Sequence, residues 1–143
     1  MRAVARLDHF WVIHTTSSTP DADTDDGVSI GLLFTQPNPQ FEIWMDFPDL
    51  PHDERERGRT DQYRFNIVES ETNISMDLLG PRNFALRTKG RDAWLPESIW
   101  VIGQDVDGNR RLLVGLPRWP ATMWFSTDLA EGRPQRVLAD GAA

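Results

Sequence analysis

The stretch Val28-Ser-Ile-Gly-Leu-Leu-Phe34 places Val28, Ile30, Leu32 and Phe34 at every second position, with Ser29, Gly31 and Leu33 between them. A period of two is the spacing at which a β-strand sends side chains to one face, whereas a helix repeats near 3.6. The same alternation recurs along the chain. Phe41, Ile43 and Met45 alternate with Glu42 and Trp44, and Tyr63, Phe65 and Ile67 alternate with Arg64 and Asn66. Phe84, Leu86 and Thr88 form a shorter set, and Ile99 and Val101 alternate with Trp100 and Ile102. Phe10 to His14 reads as a fully buried first strand, Leu112 to Leu116 as a late strand, and Trp124 to Ser126 as a last aromatic one. Counted together they predict about eight strands.

Turn chemistry separates these runs. Asp25-Asp26-Gly27, Pro37-Asn38-Pro39, Gly80-Pro81 and Asp107-Gly108-Asn109 are turn signals, and the last lies between two apolar runs as a hairpin turn would. Thr72 to Leu79 fits either a helical turn or an edge strand, and no long amphipathic helix is present in the sequence. Short, evenly spaced strands with turn punctuation predict an all-β fold, an antiparallel β-sandwich forming one domain over residues 1–143. Ala139 to Ala143 is expected to fray. Of the six tryptophans, Trp11 and Trp44 are expected in the core or between sheets, and Trp94 and Trp100 flank the sixth strand. Trp119, beside Arg118, is a candidate exposed anchor for an interaction.

Composition removes several function classes. With 22 acidic against 15 basic residues the formal charge is −7, which argues against a nucleic-acid partner. No apolar run approaches the ~18 residues of a membrane span, and the residues after Met1 do not read as a secretory signal peptide. Cellular location stays open, between the cytoplasm and a non-classical export route. There is no cysteine, and the histidines His9, His14 and His52 form no H-E-x-x-H pair. A G-x-S-x-G elbow and a Gly-rich phosphate loop are also absent. A close carboxylate pair is nearly inevitable among 22 acids, so it is weak support for a glycosidase. The expectation is a non-enzymatic protein.

What stands out is where the aspartates fall. Asp21, Asp23, Asp25 and Asp26 precede the second strand, Asp46, Asp49 and Asp53 follow the third, and Asp92 precedes the sixth. Calcium takes six to eight oxygens, about the number that carboxylates and carbonyls of clustered loops can gather. The competing reading is that aspartate is a common, well-solvated turn residue. An EF-hand loop counted from Asp21 fails, because Asp26 falls where glycine is needed and Leu32 where the bidentate glutamate belongs. Any calcium site must therefore be shared between separate loops.

Three ordered stretches carry a family resemblance. Asp46-Phe-Pro-Asp-Leu-Pro-His-Asp53-Glu-Arg-Glu-Arg-Gly58-Arg-Thr-Asp61-Gln-Tyr-Arg-Phe65 resembles the D-x-F-E-R-G-x-T-D-x-F hallmark of the PLAT (lipoxygenase-homology) family. Asp21-Ala-Asp-Thr24-Asp25 resembles its D-A-G-T-D loop, and Asp92-Ala-Trp94-Leu-Pro-Glu-Ser-Ile-Trp-Val101 its P-D-W/Y…V-x-V stretch. In order and spacing the set is most similar to the C-terminal calcium-binding domain of bacterial alpha-toxin phospholipases. It spans residues 8–104, with weaker similarity from Arg110 onward.

The resemblance implies a sandwich that docks onto a lipid surface or a partner protein, with Ca2+ as cofactor. It implies a first site using the Asp21 and Asp92 carboxylates and carbonyls of Asp23 and Ala93. It implies a second using Asp46 and Asp53 with carbonyls of Phe47 and Asp49, and a weaker one drawing on Thr24 and Asp25. Gly58 and Asp61 would shape a turn, and Trp94 would pack near the first site. Asp23 stands where the family has glycine, which predicts backbone strain there, and Lys89-Gly90-Arg91 replaces the toxins' membrane-inserting aromatics, which implies shallow docking. The alternative function is a calcium-independent interaction subunit of a larger assembly, using a sheet face and the Trp119 region.

Overall fold

The structure, a computed structural model, describes residues 5–34, 41–48, 54–67 and 74–142. Among them are eight strands: β1 (Leu7–Thr16), β2 (Val28–Phe34), β3 (Phe41–Asp46), β4 (Thr60–Asn66), β5 (Phe84–Thr88), β6 (Pro96–Asp105), β7 (Arg110–Leu116) and β8 (Gln135–Val137). They form two four-stranded sheets, ordered β4-β1-β6-β7 and β3-β2-β5-β8, and every pairing is antiparallel. This is the all-β sandwich expected from the alternation.

The core lies between the sheets. Phe10 and Val12 of β1, Ile99 and Val101 of β6, Ile30 and Leu32 of β2, and Phe84 and Leu86 of β5 are all essentially inaccessible. Phe10 stacks on Phe65 with ring centroids 5.3 Å apart, and Phe47 on Tyr63 at 4.3 Å. Such pairs add to the area they bury because offset rings align their quadrupoles favourably. The Asp107-Gly108-Asn109 turn joins β6 to β7 as the sequence predicts, with Gly108 at φ +88° and Asp105 accepting the amides of Asp107 and Asn109.

Several expectations need correction. β1 is not buried on both faces: Phe10, Val12 and His14 point inward, while Trp11 and Ile13 lie half-buried on the outside. Trp44 is likewise outward rather than between the sheets; its ring lies over Gly31, where a Cβ would come within 2.8 Å of it. Trp124–Ser126 is not a strand. Phe125 makes isolated bridges to Trp94 and Arg133, and the eighth strand is Gln135-Arg-Val137, which pairs with β5. That strand has three residues at a sheet edge, too few to show a period. Within Thr72–Leu79 the helical reading holds, as a 3-10 turn over Met76–Leu78; residues 72 and 73 and the Pro37-Asn38-Pro39 turn lie outside the described residues.

The tail does not fray as expected. Leu138–Ala142 forms a 3-10 turn in which Gly141 is buried against the Trp119 ring. Trp119 itself is 5% exposed, stacks on Phe125 at 5.7 Å and donates its indole N–H to the Met123 carbonyl at 2.8 Å. It is a core residue, so the exposed-anchor expectation for it is withdrawn.

His14 is the polar exception in the core. Its ring stacks against Phe47 and Tyr63 and meets Trp94 edge-on at 5.0 Å, and neither ring nitrogen has a hydrogen-bond partner among the described residues. Burial pushes its pKa from 6.5 down to about 3; Asp61 opposes the shift and Arg55 adds to it. Between those values the unfolded chain binds a proton that the native chain refuses, so stability is complete above pH 6.5 and falls as acid carries the solution toward pH 3. His14→Phe is expected to flatten urea-unfolding stability across that window by up to roughly 1.4 kcal/mol per pH unit relative to wild type, with little change in slope above pH 7. An unchanged acid slope in the variant would show that His14 does not titrate on unfolding.

Candidate functional site

Strand register collects the acidic loops at one end of the sandwich. Thr15 pairs with Thr60 and Ser98, Ser29 with Asp46 and Arg87, and Arg87 with Gln135. The β1–β2, β3–β4 and β5–β6 loops and the long β7–β8 connection therefore all emerge on the same side.

The β1–β2 and β5–β6 loops are stitched together through Asp92. Thr24 Oγ donates to the Asp92 carbonyl at 3.0 Å, the Asp25 amide donates to Asp92 Oδ2 at 3.3 Å, and the Asp92 amide donates to Asp26 Oδ2 at 2.8 Å. Thr24 Oγ also accepts the Asp26 amide at 3.1 Å, and Thr24 is itself buried. Its hydroxyl is thus occupied in joining the loops. Below them Trp94 is fully buried, with its indole N–H donating to Thr16 Oγ at 2.9 Å and its backbone exchanging two 2.8 Å hydrogen bonds with Phe125.

Asp21, Asp92 and Ala93 line one open cleft of ≈ 580 Å³. Three of the four residues implied for the first site are thereby brought together across 71 positions of sequence. The Asp21 carboxylate makes no hydrogen bond or ion pair among the described residues, and Asp92 keeps one carboxylate oxygen without one. Asp21 adopts φ +66°, a conformation that aspartate tolerates better than most residues. Asp23, expected to be strained, is not among the positive-φ residues; its carboxylate faces the Arg57 guanidinium at 3.9 Å. Asp25 is exposed and contributes its amide to Asp92.

The cleft also contains residues that sequence reasoning missed. Pro20, Arg91, Trp124 and Glu131 complete its lining. Glu131 comes from the β7–β8 connection, and neither spacing nor motif links it to Asp92. Arg118 is exposed and lies with Ser17 and Glu97 in a separate cleft of ≈ 330 Å³, against the edge of Trp119.

The second implied site is partly outside the described residues, since Asp49 and Asp53 fall there. Asp46 is exposed and already partnered: Oδ1 accepts from Ser29 Oγ at 2.7 Å and lies 2.7 Å from Lys89 Nζ. These two hydrogen bonds, that from Lys89 foremost, hold its carboxyl below the ordinary carboxylate range. Phe47 is buried against Tyr63 and His14, so its ring is structural. Gly58 at φ +72° and Asp61, which accepts the Arg55 amide at 2.8 Å, shape the turn into β4 as expected.

For a metal, the first cleft supplies hard oxygen donors from two loops. Among the described residues no three His, Asp or Glu side chains converge into a metal-binding group, so backbone carbonyls would have to complete any coordination shell. That donor set suits calcium and does not suit zinc, which prefers nitrogen and sulfur.

The fold and its loop end define a β-sandwich module with an acidic, two-loop cleft at one end. Two solved toxin structures share that fold. The alpha toxin of Clostridium absonum matches with a TM-score of 0.64 at 18% identity, over 96% of this chain and 33% of the toxin chain. The alpha-toxin of Clostridium perfringens, from avian strain SWCP, matches at 0.61 and 20% identity, over 96% of this chain and 32% of that one. The chain thus spans about a third of the length of these toxins, and the alpha-toxin likeness drawn from its motifs is borne out at the level of fold. No family model matches the chain, and no curated protein sequence matches it.

The stitching depends on Gly90. A Cβ built there would overlap the Asp26 carboxylate, which is the acceptor for the Asp92 amide. Gly90→Ala is expected to displace Asp26, detach the two loops and cost about 1–3 kcal/mol in unfolding free energy. A melting temperature within error of wild type would show that the loops accommodate the methyl group.

Proposed function

We propose that this protein is a non-enzymatic calcium-binding docking module that attaches to a lipid surface or a partner protein. The observation that carries this reading is the convergence of Asp21 and Asp92, from two loops, on one cleft with carboxylate oxygens left unpartnered. The shared fold with part of the alpha-toxins supports it.

In this reading Asp21 and Asp92 provide the charged ligands, and the carbonyls of Asp23 and Ala93 provide neutral ones. Glu131, across the same cleft, adds negative potential from a third segment. Bound calcium would neutralise this acidic end and offer positive charge to an anionic oxygen of the docked surface. The Thr24 hydroxyl, the Asp25 amide and the Asp26 carboxylate hold the two loops at a fixed separation, so little ordering is left to be done on binding. The Asp46 region plays a different part. Lys89 already supplies a cation to Asp46, so a second calcium there would have to displace the ammonium. Lys89 and Arg91 on the β5–β6 loop are suited to headgroup phosphates rather than to insertion among acyl chains.

Thermal unfolding in excess calcium and in chelator tests the metal. Calcium at about 100 times its dissociation constant stabilises the native state by roughly 2.7 kcal/mol, a rise of about 8–10 °C for a chain of this size. The rise is expected to vanish in Asp92→Asn and to survive in Asp46→Asn. Vesicle co-sedimentation with and without calcium then separates lipid from protein docking. No calcium-dependent shift in wild type would overturn the metal reading and leave a calcium-independent interaction domain.

A further inference from the structure

The outer face of the β4-β1-β6-β7 sheet carries a second feature, independent of the loops. An antiparallel sheet with one solvated face normally alternates apolar inward and polar outward. Here the outward positions of the three strands β1, β6 and β7 break that rule. Register sets Trp11 beside Ile102 and Ile102 beside Leu112, with Ile13 beside Trp100 in the next row. These side chains lie outside the core cluster, and Leu112 is 54% exposed. The result is a continuous apolar strip across the sheet.

The charge around the strip is one-sided. Arg64 of β4 and Arg110 of β7 lie over the Trp11 ring, their guanidinium carbons 5.9 and 5.3 Å from its centroid. Their Nε atoms donate to neutral amides, Arg64 to Asn66 at 3.2 Å and Arg110 to Gln104 at 2.8 Å. Neither meets a carboxylate among the described residues, on a chain with 22 acids and a charge of −7. In the paired rows from His9–Asn66 to Thr15–Thr60 no outward side chain is acidic. Asp8, just beyond one end, is bonded to His9 Nδ1 at 2.7 Å, and Glu97 lies beyond Ser98 at the other.

The opposite sheet shows what a self-contained outer face looks like. There Trp44 donates to Glu42, Arg87 stacks on its ring at 4.1 Å, and Asp46 is bonded to Ser29 and Lys89. Both signs of charge are present and mutually engaged. The Trp11 and Trp100 indole N–H groups, in contrast, have no acceptor among the described residues.

We propose that the Trp11–Trp100 face is a docking surface for a different protein that presents carboxylates around an apolar ridge, such as an acidic amphipathic helix. Aromatic and arginine side chains are those most enriched where binding energy concentrates, and unpaired guanidiniums at an apolar rim select for acidic partners. The same face of a second copy does not fit, because it holds no carboxylates with which to answer its own arginines, and the acidic end of a second copy is a cleft rather than an apolar ridge. An anionic bilayer fits less well, because the indoles are half-buried.

The test uses two synthetic amphipathic peptides of about 18 residues with the same leucine face, one flanked by glutamate and one by lysine. Titrations in EDTA, read by tryptophan emission and amide shifts, keep the result separate from the calcium reading. The glutamate peptide is expected to bind at least about tenfold more tightly than the lysine peptide, to shift β1 and β6 amides, and to weaken as salt is raised. The double change Arg64→Glu and Arg110→Glu should reverse the preference, and Leu112→Asp should weaken both peptides about fivefold or more, with melting temperatures close to wild type. The proposal is overturned if neither peptide binds at about 1 mM, if both bind equally, or if shifts map to the Asp21 and Asp92 loops. It is also overturned if phosphatidylserine vesicles bind this face in EDTA while the glutamate peptide does not.

Discussion

The burial of Trp94 is the constraint on which the loop end depends. Its ring is closed off between the sheets, against His14 and Phe125, and its indole N–H reaches Thr16 at the end of β1. A buried indole donor without a partner would cost more than its hydrogen bond returns, so Thr16 and Trp94 specify each other. Because Trp94 lies two residues after Asp92, anchoring the ring also anchors the carboxylate. The same residue bridges to Phe125, which stacks on Trp119, which in turn closes over Gly141. One chain of aromatic contacts thus ties the Asp92 loop to the C-terminal turn.

Around that anchor Asp26 and Asp92 are held without an ion pair among the described residues. Most of the stitching is done by backbone amides and a threonine hydroxyl: Asp92 and Asp26 accept amides from each other's loops, and Thr24 donates across the gap. Amide donors fix the carboxylates in place yet leave their formal charge intact, which preserves a negative cleft. At Asp46 the solution is different, since the single lysine of the chain sits on it. Two acidic positions that look equivalent in sequence therefore end in opposite electrostatic states.

The two sheets differ in a comparable way on their outer faces. Trp44 finds a glycine to lie on, a glutamate to bond and an arginine to stack against, all on its own sheet. Trp11 has over it two arginines that bond neutral amides rather than a carboxylate, and Trp100 borders glycine and leucine. Register decides this, because cross-strand neighbours are set by pairing and not by distance along the chain.

Strand alternation determined the inward sets of β2, β4, β5 and β6 and the class of fold, since a period of two is a local property that survives without knowing the partner strand. The ordered motifs likewise singled out Asp21 and Asp92, which line one cleft, and the turn residues Gly58, Asp61 and Gly108 behave as their chemistry dictates. What lay beyond the sequence were features made by packing across long separations. Glu131 enters the cleft from a connection with no motif, Trp119 is buried by a C-terminal turn that reads as a frayed end, and β8 exists because β5 offers it an edge. Which side of a strand meets the other sheet, and hence that Trp11 and Trp44 face outward, depends on register and on the second layer. Local periodicity shows that two faces exist; the tertiary structure decides which face the core occupies and what charge surrounds the other.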